Sequence, residues 1–111
     1  MNRKPAAFRG LKTRHADFLK AVNALGAAAQ RAGPLDKKTT QLVQLAAAAA
    51  IRSEGAVHSH VRRALEAGAS TEEIHHVLIS ITSTIGFPTF RAALSWADDV
   101  IGAVVADKAP R

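Results

Sequence analysis

The chain has 111 residues, enough for one domain of roughly 100–200 residues with a modest core. Its 48% hydrophobic content is mainly Ala, Leu, Val and Ile, aromatics reach 5%, and Cys is absent, which excludes disulfides, thiolate metal sites and thiol redox chemistry. The formal net charge of +6 is an N-terminal property: residues 1–40 hold nine Lys or Arg against Asp17 and Asp36, whereas residues 41–111 hold six basic against seven acidic residues.

Residues 1–10 read as a disordered basic arm, with Pro5 and Gly10 as breakers, and residues 11–111 as a single helical domain. The first helix is predicted over residues 12–31, with Phe18, Val22, Leu25 and Ala29 along one face and Gly33-Pro34 closing it. Asp36 is an N-cap for the second, which runs through Leu42, Leu45 and the alanines 46–50 to about Arg52. Small side chains there let neighbouring backbones approach, so this helix is expected to be central. After Ser53 and Gly55, a third helix covers residues 57–67 and ends at Gly68.

Ser70 and Glu73 form a capping box for the fourth helix, whose stripe is Ile74, Val77, Leu78, Ile81 and Ile85. Gly86-Phe87-Pro88 stops it, with Pro88 suited to the first turn of a fifth helix carrying Phe90, Leu94, Ala97, Ile101 and Val104. Almost nothing alternates with a period of two, so the fold class is all-α, a bundle of about five to six helices. Trp96, Val100 and Ala103 form a second apolar face on the fifth helix, and Ile79 lies off the stripe of the fourth. Such surplus apolar surface predicts a homo-oligomer. No apolar run suffices for a signal-peptide core or a membrane span, so no membrane association and a cytoplasmic location are expected.

Residues 35–42 (LDKKTTQL), the alanine-rich helix after them and residues 53–74 (SEGAVHSHVRRALEAGASTEEI) resemble the carboxymuconolactone decarboxylase and alkyl hydroperoxidase D-like superfamily. The resemblance runs from residue 35 to 105 and includes Gly86-Phe87-Pro88. It implies an alkyl hydroperoxidase D-like helical bundle that assembles into a homo-trimer or homo-hexamer. Hydroperoxidase D-like members carry a Cys-x-x-Cys pair just before a His, with a Glu one helix earlier completing a proton relay. The corresponding positions here are Ser53, Ala56 and Gln41, with His60 retained. Neither a hydroxyl nor a methyl replaces redox-active sulfur, so thiol peroxidase activity is not expected.

The cysteine-free decarboxylase branch is similar to this chain through Glu54, His60, Arg62 and Gly86-Phe87-Pro88. That likeness implies a cofactor-free lyase acting on a small carboxylated lactone or related acid, with His60 as acid/base, Glu54 as its orienting partner and Arg62 or Arg63 holding a substrate carboxylate. Each residue has a plainer reading beside it. His60 sits at the border of an apolar stripe, where a hydrogen-bonded edge histidine is common. Glu54 favours a helix N-terminus through the dipole. Arg62 and Arg63 suit solvent or acidic partners. The alternative for the whole chain is a catalytically inactive oligomeric ligand-binding or scaffold domain, since Gln41, Ser53 and Ala56 replace the relay. Nucleic-acid binding would rest on the basic arm alone, where Phe8 is the single aromatic among the charges. No metal or organic cofactor is expected: His58 and His60 point apart on a helix, and His75-His76 are neighbours with the same problem.

Overall fold

The computed structural model describes residues 6–108 and divides into two compact units, residues 1–35 and 36–111. Residues 1–5 of the expected N-terminal arm lie outside the described residues, while the remainder of that arm is helical from Ala6. Among the described residues there are seven helices and no strand, and no helix is long and apolar enough to cross a membrane.

The first unit packs α1 (Ala6–Arg14) against α2 (Ala16–Arg31). The single helix predicted over residues 12–31 is therefore broken at His15, whose backbone leaves the helical region at φ −134°. Hydrogen bonding survives the break, since His15 donates to the Leu11 carbonyl and accepts from the Leu19 amide. The apolar face predicted for this helix is exposed, with Phe18 at 60%, Val22 at 44% and Leu25 at 70%, while Leu19 beside it is buried.

The second unit holds the core. Its first helix, α3 (Lys37–Ala50), starts where the Asp36 carboxylate accepts from the Thr39 amide at 2.8 Å, which also holds the Asp36 carboxyl below its ordinary range. Along α3 the buried positions are Gln41, Leu45, Ala48 and Ala49, a stripe with helical spacing. The helix ends in a Schellman motif, with Ser53 N–H bonded to Ala48 O and Arg52 N–H to Ala49 O. Arg52 occupies the left-handed position at φ 56°, and its guanidinium donates to the Thr89 hydroxyl at 2.7 Å.

Helix α4 (Glu54–Glu66) buries Val57, Val61 and Ala64 and ends in the same motif, this time with Gly68 at φ 99°. Next, α5 (Thr71–Ser80) begins with the predicted Ser70–Glu73 capping box and buries Ile74 and Leu78. The fourth helix expected from the sequence stops at Ile81 and restarts as α6 (Thr82–Ile85). At this junction the Ser80 and Thr82 hydroxyls donate to the carbonyls of Val77 and Leu78, side-chain competition that bends helices. Gly86, at φ 89° and ψ 153° in a region open almost only to glycine, turns the chain into α7 (Phe87–Lys108).

Helix α4 packs on both α3 and α7, and α5 packs on the same two. Six alanines (Ala48, Ala49, Ala64, Ala69, Ala93 and Ala97) are buried, so close backbone approach fills much of the interior. The second face predicted for the fifth helix is corrected by this arrangement. Val100 is buried and Trp96 is partly buried against the core, because α7 is touched by α3, α4, α5 and α6 at once. Ala103 is exposed, as is Ile79 at 56%.

Candidate functional site

Helices α3 and α4 bring His60 to Gln41. The buried stripes of the two helices, Leu45 with Ala48 and Ala49 on one and Val57 with Val61 on the other, belong to one apolar cluster and set the helices side by side. Gln41 opens the stripe of α3 and is 7% exposed, the one buried polar residue among those described. Its amide oxygen lies 2.8 Å from His60 Nδ1, so the burial of that amide is matched by a hydrogen bond.

His60 is half-buried, and its proton affinity is held below the ordinary histidine value. Burial is the larger cause, because desolvation penalises the cation, and the nearby positive charge of Arg63 adds to it. A stability consequence follows with a defined sign. The folded chain binds the His60 proton less readily than the unfolded chain does, so this contribution is complete above a pH of roughly 6.5. It is lost as pH falls through that value toward the folded pKa. Urea unfolding followed between roughly pH 8 and pH 5 should show a larger loss for the native chain than for His60→Gln. Equal losses would show that His60 titrates alike folded and unfolded.

The other residues expected at the site are not all brought to it. Glu54 is not the partner of His60: six residues earlier on α4, it stands about 120° around the axis and about 9 Å along it. Its carboxylate is instead 3.9 Å from His58 Nε2, too far for a hydrogen bond, and that nitrogen is buried without a partner. Arg62 is also misplaced for the role, lying about 160° around α4 from His60. Arg63, three residues on from His60, shares its face and is the arginine whose charge reaches it.

Ser53 and Ala56 fall on that same face, seven and four residues before His60. The Ser53 hydroxyl caps α4 by accepting from the Ala56 amide at 3.4 Å. Among the described residues no three His, Asp or Glu side chains are grouped to hold a metal. His75 instead meets Asp98 at 2.7 Å, joining α5 to α7, and Lys38 meets Glu73 at 2.9 Å, joining α3 to α5.

What α3 and α4 assemble is an imidazole steadied by a neutral amide, with a guanidinium one helical turn after it and the small side chains of Ala56 and Ser53 before it on the same face. An imidazole so placed can take up and pass on a proton, and the cation can attract an anion. Gln41 is the residue that sequence reasoning passed over, since it reads as a relay acid that has been lost. Its signal was present all the same, because the resemblance already set it opposite His60.

The model of the carboxymuconolactone decarboxylase family matches residues 16–99 of the chain. A carboxymuconolactone decarboxylase family protein from Legionella pneumophila, crystallised in its apo form, is similar in fold with a TM-score of 0.75. The two share 23% identity over 86% of each chain. A second such protein, from Thermotoga maritima and described as a candidate for the antioxidative response, superposes with a TM-score of 0.70. It shares 25% identity over 93% of this chain and 91% of its own. No curated protein matches the sequence.

Proposed function

From the premise that this chain belongs to the carboxymuconolactone decarboxylase family, we propose that it is a cofactor-free carboxy-lyase acting on a small carboxylated lactone or a related acid. The observation that carries this reading is the half-buried His60 held by Gln41, with the charge of Arg63 beside it. In such a reaction the bond to the carboxylate carbon breaks, CO2 leaves, and the electron pair is delocalised onto an adjacent carbonyl. One proton from solvent completes the product. The His60 imidazole takes that proton up and delivers it to the carbon, and its lowered proton affinity makes the imidazolium a stronger donor. Arg63 attracts the anionic substrate and offsets charge developing on the carbonyl oxygen. Glu54 and Arg62 have no part in this scheme.

The test is CO2 release from a small carboxylated lactone by metal-free protein, at a rate above buffer. Binding without release would instead favour an inactive ligand-binding domain of the same family.

The chain also self-associates in this reading, as a trimer or hexamer. Support comes from α2, where Phe18, Val22 and Leu25 leave one apolar stripe in water, and from exposed Ile79. Light scattering on a sizing column should give three or six times the 11.7 kDa chain mass, and a monomer at micromolar concentration would refute it.

A further inference from the structure

We infer that Gln41 is a positioning residue: it fixes the tautomer of His60, so that Nδ1 carries the proton and Nε2 is the nitrogen that meets substrate. As a statement about the reaction this rests on the reading of His60 given above, but the tautomer is a property of the chain alone.

The argument begins with what an amide oxygen can do. Gln41 Oε1 has lone pairs and no hydrogen, so at 2.8 Å from His60 Nδ1 it can only accept. The ring nitrogen must then donate, and a neutral imidazole with its proton on Nδ1 has its lone pair on Nε2. Burial makes the arrangement binding on both partners. Gln41 is 7% exposed, so water is not on hand to replace the ring as donor, and an unsatisfied buried acceptor is costly. The amide sits on the stripe that also buries Leu45, Ala48 and Ala49, which fixes its place along α3.

A carboxylate at position 41 would do something different. It would accept from Nδ1 as well, but its charge would also stabilise the imidazolium and favour the protonated ring. The amide orients the ring without charging it. Gln41 therefore separates two effects that a relay acid combines: the direction of the imidazole is kept, and the ring rests neutral with Nε2 free. The small residues Ser53 and Ala56, on the same face of α4, leave that side of the helix without a thiol or an acid to occupy the site.

Long-range proton–nitrogen NMR on uniformly 15N-labelled protein, above the His60 titration, reads the two ring nitrogens directly. In the native chain Nδ1 should show the protonated signature and Nε2 the unprotonated one, the reverse of the form free histidine prefers. In Gln41→Leu, similar in size but with no acceptor, that preference should be lost and the Nε2-protonated form should appear. In Gln41→Glu the proton should stay on Nδ1 while the titration midpoint of His60 rises by about one to three pH units. A native His60 protonated on Nε2 would overturn the inference, as would a tautomer unchanged in Gln41→Leu or a midpoint unmoved in Gln41→Glu. The native spectrum decides the matter even if a variant fails to fold. Because no substrate is present, absent lactone turnover with the expected spectrum would count against the lyase reading alone.

Discussion

His60→Gln is expected to slow lactone decarboxylation by about 10²–10⁴-fold, the usual worth of one positioned acid/base group. That corresponds to about 3–5 kcal/mol of transition-state stabilisation. Glutamine reaches a similar distance and can bond to the Gln41 amide, but it neither gains nor loses a proton near neutral pH, so the loss should fall on kcat. The helix should be unaffected, because the buried stripe of α4 is Val57, Val61 and Ala64, and His60 is only half-buried beside it. Far-UV circular dichroism and the sizing profile would confirm that the variant is folded and assembled. Two companions separate the geometry from the pairing expected on sequence. Glu54→Gln should leave kcat unchanged, since its carboxylate faces His58 and solvent. Arg63→Ala should raise KM, whereas Arg62→Ala should not. A His60→Gln variant as fast as the native chain would remove His60 from the chemistry.

The regular parts of this fold were legible because local rules and packing agree in them. Asp36, Ser70 and Glu73 cap the helices predicted for them, Gly68 and Gly86 end helices where a positive φ is needed, and the stripe of the central alanine-rich helix is buried. Other features depend on neighbours that a periodicity pattern does not contain. Val100 reads as surplus on a helix with one buried face, yet α7 is contacted from several sides. Phe18, Val22 and Leu25 read as one apolar face by the same rule, and that face lies exposed. The breaks at His15 and Ile81 interrupt patterns that are continuous in sequence.

The site shows the same division. His60 and its expected partner Glu54 were both found through the resemblance, but Glu54, on the same helix, stands about 120° around the axis from it. Gln41, nineteen residues away, reaches it, because two helices cross there. Which arginine faces His60 follows from helical spacing alone, and that spacing was available before the structure.

Leu45→Ala is expected to cost about 2–5 kcal/mol of stability, the range for removing a fully buried leucine side chain and leaving a cavity. Leu45 is completely buried, and the helix that carries it touches α4, α5 and α7, so no surface neighbour can relax into the space. Against a typical total of about 5–15 kcal/mol, that is a large fraction. Ala49→Leu, on the same buried stripe, tests the same interior in the opposite sense, by overpacking. An inserted isobutyl group would push apart helices held close by alanines, at about 1–3 kcal/mol. Val43→Ala, at an exposed position of the same helix, should change stability by less than about 0.5 kcal/mol. Urea unfolding followed by circular dichroism gives all three values, and repeating it at two protein concentrations separates packing within the chain from any share due to self-association. The effect should also reach the site, since Leu45 is one turn beyond Gln41 on the same buried stripe. With that support removed, the Gln41 amide has freedom to leave His60 Nδ1, and the ring should begin to populate its other tautomer. A Leu45→Ala chain that lost stability but kept the native ring spectrum would show that Gln41 is held by His60 itself and not by the packing below it.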